Sequence, residues 1–172
     1  MTYSIVFESK TGNTEQAARA VGAGLPAAGC AAFGAPSAAA AQADVVFVGF
    51  WTDKGTCPEG IAAFLGGLDG KAVALFGTAG FGGDPAYFDG ILQRVAALLP
   101  ASCRLMGGHM CQGKMPAAVG ARYEAVAAQD PANAQAAMML ENFRRALCHP
   151  DEEDLAGMTA FARRIAAEQG LA

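Results

Sequence analysis

Val45, Val46, Phe47 and Val48 follow one another with no polar position among them. No other stretch limits the fold so strongly. A strand with one wet face alternates apolar and polar side chains, whereas a strand covered on both faces need not. Four consecutive β-branched and aromatic residues therefore predict a buried strand within Asp44–Phe50, flanked by helices above and below. Other short apolar runs lie at Tyr3–Phe7, Lys71–Phe76 and Cys103–Met110, with a weaker one at Cys30–Phe33 and alanine-rich helical stretches between them. This alternation predicts an α/β fold, a doubly wound five-stranded parallel sheet.

Helices are expected at 14–25, 37–43, 58–65, 85–99 and 150–169. The last three begin at or beside a proline, which suits a first helical turn. Asp151, Glu152, Glu153 and Asp154 add negative charge where the last helix dipole is positive. The stretch from Lys114 to Cys148 exceeds what a connection between a fifth strand and a last helix requires. It reads as a helical insert of two helices separated by Pro131. Val119, Tyr123 and Val126 share one face, as do Met139, Phe143 and Leu147, and Glu141 can pair with Arg145.

The chain has 172 residues, 53% hydrophobic and 16% charged, enough for one well-buried core, so residues 1–172 are expected to form a single domain. Its net charge of −4 argues against nucleic acid as a partner and suits docking to a basic protein. The five cysteines are odd in number, lack Cys-x-x-Cys spacing and do not group with the two histidines, so reduced thiols and no metal are expected. No basic leader and no apolar run of about 18 residues is present. A cytoplasmic location without membrane spanning is the expectation.

Between the first strand and the first helix stand Ser9, Lys10, Thr11, Gly12, Asn13 and Thr14. Hydroxyls, a side-chain amide and the free N–H groups of a helix N-terminus can converge there on a phosphate. A turn capped by Thr14 without a ligand is the plainer alternative. Neither Gly-x-Gly-x-x-Gly nor a Gly-Lys-Ser/Thr P-loop follows this strand, and a hydroxyl-rich turn with one glycine suits a terminal monophosphate. In an open α/β sheet, ligands lie beyond the carboxyl ends of the strands, so the loops after strands three and four should join this turn. The first holds Trp51, Thr52, Asp53, Lys54 and Gly55, including the only tryptophan. The second holds Thr78, Ala79, Gly80, Phe81, Gly82 and Gly83. Phe50 and Trp51 stand where a receiver-type signalling domain would need an aspartate.

Ser9, Thr11, Gly12 and Thr14 match the motif Thr/Ser-x-Thr-Gly-x-Thr, and the turn resembles the phosphate loop of flavodoxins. That resemblance implies FMN as cofactor and the strand order 2-1-3-4-5. It implies that the peptide at Gly55 can turn toward flavin N5. Trp51, just beyond a strand end, either stacks on the isoalloxazine ring or packs against a neighbouring loop, and the Gly80–Gly83 run either offers amides to the pyrimidine edge or is an ordinary glycine-rich loop. Phe81 and Tyr87 are both candidates for a second aromatic contact. Lys54 departs from the acidic character usual beside the flavin; it either raises the potential of the reduced ring or is a solvated charge. Cys57 reads as a small packing residue, and His109 and His149 as structural residues without carboxylate partners.

Ser9–Thr14, Phe47–Cys57, Phe76–Gly83, Met110–Pro116 and Glu141–Leu155 together resemble a narrower group, the flavodoxin-like accessory proteins associated with bilirubin reductase. The implied function is electron transfer through FMN to a partner reductase, with bilirubin or another tetrapyrrole as a possible end acceptor. The competing reading is an NAD(P)H-dependent FMN or quinone reductase with its own substrate site.

Overall fold

The computed structural model describes residues 1–171. Five parallel strands, β1 (Tyr3–Phe7), β2 (Cys30–Gly34), β3 (Val45–Trp51), β4 (Ala72–Ala79) and β5 (Arg104–Gln112), form one sheet in the order β2-β1-β3-β4-β5. The helices are α1 (Asn13–Ala23), α2 (Glu59–Gly66), α3 (Pro85–Ala96), α4 (Ala117–Gln129), α5 (Ala134–Ala146) and α6 (Glu152–Gln169). The expected fold class and strand order are both observed.

Side-chain alternation along each strand divides the core in two. Ile5, Val45, Phe47, Ala74 and Phe76 point to one face and pack against Ala17, Ala18 and Val21 of α1 and Met158, Phe161, Ala162 and Ile165 of α6. Val6, Val46, Val48, Phe50, Val73 and Leu75 point to the other and meet Ile61 and Leu65 of α2 and Ile91 and Val95 of α3. β3 is buried along Val45–Phe50, as its unbroken apolar run requires.

α6 starts at a reciprocal cap. Asp151 accepts from the Asp154 amide at 3.0 Å, and Asp154 accepts from the Asp151 amide at 2.9 Å.

Several boundaries move from their expected places. The segment expected to be helical at 37–43 forms only a 3₁₀ turn, Ala40–Gln42, because too few of its positions are buried to reward a longer helix. α6 begins two residues later than expected, after its cap at Asp151. In the insert, Tyr123 and Phe143 are buried as expected, and Glu141 pairs with Arg145 at 3.1 Å. Val126 and Leu147, assigned to the same apolar faces, are exposed instead. α4 and α5 pack mainly on each other, and Phe143 lies against the backbone of Gly120. That contact reaches only part of each apolar stripe. His149 also departs from expectation: its Nδ1 lies 2.5 Å from Asp154 Oδ2, so a carboxylate does accompany it.

His109 lies within β5, its ring stacked on Phe161 with centroids 5.9 Å apart. Burial pushes its pKa down, and the Asp154 charge only partly opposes this. The unfolded chain therefore takes up the proton first as pH falls below about 6.5. Stability from this residue is present above that pH and is lost as pH falls through it toward the lowered folded value. Thermal melts from pH 7 to 5 should show a smaller loss in His109→Gln than in the wild type.

A β-carbon at Gly49 would collide with the Phe76 ring, whereas one at Gly66 would meet nothing within 4 Å. Gly49→Ala should cost about 1–3 kcal/mol in urea unfolding. Gly66→Ala, at the end of α2, should be neutral or stabilising by up to ~1 kcal/mol. A neutral Gly49→Ala would contradict the packing of β3 against β4.

Candidate functional site

The carboxyl ends of β1, β3, β4 and β5 surround a cleft of 230 Å³. Lys10, Thr11, Asn13, Trp51, Thr52, Thr78, Ala79 and Gly80 line it, and Gly113, Lys114, Met115, Pro116 and Val119 close its far side. All the residues of the first group belong to the loops that sequence placed beyond the strand ends.

The first turn is built by Ser9. Its Oγ accepts from the amides of Gly12 at 3.1 Å and Glu15 at 3.2 Å, while its own proton remains free to donate. Gly12 bends the chain with φ of 87°, in open space. Helix α1 begins at Asn13 with Gly12 in the N-cap position, and the hydroxyl that accepts an amide of its first turn is that of Ser9, not Thr14. Asn13 is buried. Its Nδ2 donates to Lys114 O at 2.9 Å and Thr11 Oγ1 at 3.0 Å, leaving Oδ1 buried without a partner. Among the described residues, no acceptor is found for the amides of Asn13 and Thr14. A buried orphan and two free amides at a helix N-terminus are incompletely satisfied polar groups next to a cleft, a pattern that a polar ligand would complete.

Thr14 takes another role. Its hydroxyl is buried and lies 3.0 Å from the buried Thr78 Oγ1. The Thr78 carbonyl accepts from the Thr52 amide at 2.9 Å and the Thr52 hydroxyl at 3.0 Å. One residue at the end of β4 thus joins the loops after β1 and β3.

Trp51 ends β3, half-buried, with the Lys10 ammonium 4.7 Å from its ring centroid. Asp53 and Thr56 exchange two backbone hydrogen bonds of 2.9 Å, which makes Lys54 and Gly55 the corner of a two-residue hairpin. Their φ values of 48° and 81° are those of a type I′ turn. Arg94 Nε of α3 holds the Gly55 carbonyl at 2.6 Å. Lys54 is exposed and, with Asp53 and Gly55, lies outside the cleft lining.

The loop after β4 is fixed from the insert side. Gln112 Nε2 donates to Gly80 O at 2.9 Å and to Asn142 Oδ1 at 3.1 Å, and Asn142 Nδ2 donates to the same carbonyl at 3.0 Å. Gly80 lies against Met115, and Gly82 against Gln112, so closely that a β-carbon at either would clash. Phe81 and Tyr87 meet edge to face, with ring centroids 6.4 Å apart, and neither they nor Gly82 and Gly83 line the cleft.

Sequence reasoning missed the far wall. Gln112, Gly113, Lys114 and Met115 had no assigned role, and Asn142 was not singled out. The shortness of the Gln112–Pro116 link after a strand end was the available signal. Cys57 is buried and its thiol is pushed up by burial, as a packing residue's would be. Burial, with Asp154 adding to it, pushes Cys111 up to about 12, so it stays a thiol. No helix is long and apolar enough to cross a membrane among the described residues.

A 2-1-3-4-5 parallel sheet with a hydroxyl-rich turn and an indole at its carboxyl edge defines a flavodoxin-type protein. Comparison with known proteins agrees: the flavodoxin domain family matches residues 4–163, and the chain belongs to that family. It is 40% identical to the flavodoxin-like domain-containing protein BilS of Clostridium symbiosum (strain WAL-14163), covering 94% of both chains. It is 30% identical to the protein of the same name from Clostridioides difficile (strain CD3), over 71% of this chain and 69% of that one. Among solved structures, a Streptococcus pneumoniae TIGR4 flavodoxin superposes with a TM-score of 0.59 at 18% identity, covering 98% of this chain and 99% of the other. Flavodoxin 2 from Bacillus cereus gives 0.57 at 19%, covering 98% and 99%. Both resemblances drawn from the sequence hold, and FMN is the cofactor of the family.

Thr78→Val removes one partner of a buried hydroxyl pair and should cost about 1–3 kcal/mol. Adding Thr14→Val should recover part of that loss, since no buried hydroxyl is then unpaired. A double-mutant cycle by urea denaturation reads the coupling, and strict additivity would contradict the contact.

Proposed function

We propose that this protein is an electron carrier that holds FMN in the cleft and delivers electrons to a partner reductase. What supports the reading is the pairing, at one cleft, of a phosphate-type donor turn with the chain's single tryptophan. In the proposed arrangement the amides of Asn13 and Thr14 and the hydroxyls of Ser9 and Thr11 hold the phosphate, with Lys10 supplying positive charge. Lys10 leaves the Trp51 face when it turns to the phosphate, and the indole becomes free to stack on the ring. Thr52, Thr78, Ala79 and Gly80 line its edge. Asp53, Lys54 and Gly55, together with Phe81, Gly82, Gly83 and Tyr87, form the outer rim. Bound FMN supplies redox chemistry in one- and two-electron steps; the protein's own residues anchor it, orient it and exclude water from one face.

The reductase partner is proposed on sequence likeness to the BilS proteins, with bilirubin or a related tetrapyrrole as the end acceptor. The mildly acidic chain, net charge −4, fits a basic docking surface on that partner. A cytoplasmic location is consistent with five cysteines of which none is paired.

The protein should bind FMN with the absorbance of a flavoprotein, and Trp51→Ala should weaken binding about tenfold, or ~1.4 kcal/mol, in a fluorescence titration. NAD(P)H added without oxygen should leave the flavin oxidised until a reductase partner is supplied. A protein that refuses FMN would overturn the cofactor assignment. Rapid bleaching by NAD(P)H alone would overturn the carrier role in favour of a stand-alone reductase.

A further inference from the structure

The chain leaves β5 through Gly113 and Lys114, and hydrogen bonds to other elements hold it before α4 begins. The Gly113 amide donates to Ala79 O at 2.9 Å, and the Lys114 amide donates to His149 O at 2.8 Å. Lys114 O in turn accepts from Asn13 Nδ2 at 2.9 Å. The next residue, Met115, is therefore placed by the end of β4, by the segment ahead of α6 and by the first turn of α1.

The Met115 side chain lies across Gly80. A β-carbon on Gly80 would come within 2.6 Å of Met115 Cγ and 2.8 Å of its Sδ, so glycine at this position is what leaves room for the thioether. Met115 is half-buried, and with Val119 of α4 it lines the cofactor cleft on the β5 side. Trp51 lines the same cleft from the end of β3.

β4 lies between these two strands, so β3 and β5 are two strand spacings, about 10 Å, apart. A flat ring in contact on both faces needs about 7 Å between the atoms that flank it. Walls rising from β3 and β5 can thus flank a single ring. The aromatic residues of the loop after β4 are engaged elsewhere: Phe81 and Tyr87 meet each other edge to face and lie outside the cleft lining.

We propose that Met115 covers the second face of the flavin ring, opposite Trp51, with Val119 beside it, and that neither Phe81 nor Tyr87 does so. The inference rests on the reading of the cleft as an FMN site. A thioether suits this position because it is flexible and polarizable and makes favourable sulfur contacts with aromatic rings. The helical insert then supplies a wall of the cofactor site through Met115 and Val119, at the point where it leaves the sheet. Because the backbone on either side of Lys114 is already clamped, this wall stands in place before the ring arrives.

The test is a titration of the full chain, labelled with carbon-13 at its methionine methyls, with FMN; the Met115 resonance is the one lost in Met115→Leu. Of the seven methionine methyls, that of Met115 should move furthest upfield, because a methyl over the face of an aromatic ring is shielded by its ring current. In a fluorescence titration Met115→Ala should bind FMN about five- to tenfold more weakly. Met115→Leu, which keeps the volume, should stay within about twofold of the wild type. Phe81→Ala and Tyr87→Ala should bind as the wild type does. A Met115 that merely supports the fold would lower the melting temperature of Met115→Ala without moving its own methyl in the wild type. FMN binding that leaves this methyl in place, or a greater loss in Phe81→Ala or Tyr87→Ala than in Met115→Ala, would overturn the inference and leave the cofactor reading standing. A wild type that does not bind FMN would overturn both.

Discussion

The architecture of the cleft depends on one buried hydroxyl pair, Thr14 with Thr78. Strand ends in an open sheet are held in register by their ladders, but the loops beyond them are not. Thr78 extends that order outward: its hydroxyl meets helix α1, while its carbonyl takes both donors of Thr52. Three loops far apart in sequence therefore share one anchor. Because both hydroxyls are sealed from water, each is committed to the other; buried hydroxyls without partners are costly. Asn13 performs the corresponding task toward β5 by binding the Lys114 carbonyl.

The sheet was legible in the sequence because its strands are covered on both faces and so appear as unbroken apolar runs. Val45–Phe50 could hardly be anything else. The segment before it has the composition of a helix but forms only a short turn, since alanines favour a helix without fixing one, and only Ala40 and Ala43 bury fully there. The insert faces were half right for a related reason: periodicity marks a stripe, but Phe143 and Gly120 set how much of that stripe is covered. In the cleft, the motif positions were visible from residue type and spacing. Which of their groups face inward was not. Ser9 and Thr14 are both hydroxyl residues of one motif, yet the first accepts amides of its own turn and the second reaches across to β4. At the far wall only the short Gln112–Pro116 link gave a local signal, because a contact such as Gln112 to Asn142, thirty residues apart, carries no local signature.

The insert is more than an appendage on this reading. Asn142 of α5 touches the loop after β4, and Met115, just before α4, packs on Gly80. Each end of the excursion returns to the cleft, so the two helices are connected to the sheet by polar and apolar contacts at the same place.

The Gly80 carbonyl carries a chemical consequence of its own. An amide oxygen has two lone pairs, and here Gln112 and Asn142 each direct an N–H at it. Its capacity to accept is filled before any ligand arrives. What this part of the wall has left to give is therefore hydrogen, from backbone amides, and a ligand edge rich in oxygen or unprotonated nitrogen is favoured over one that must itself donate there. Two side-chain amides, one from the sheet and one from the insert, thus set the polarity of the message that the loop can read.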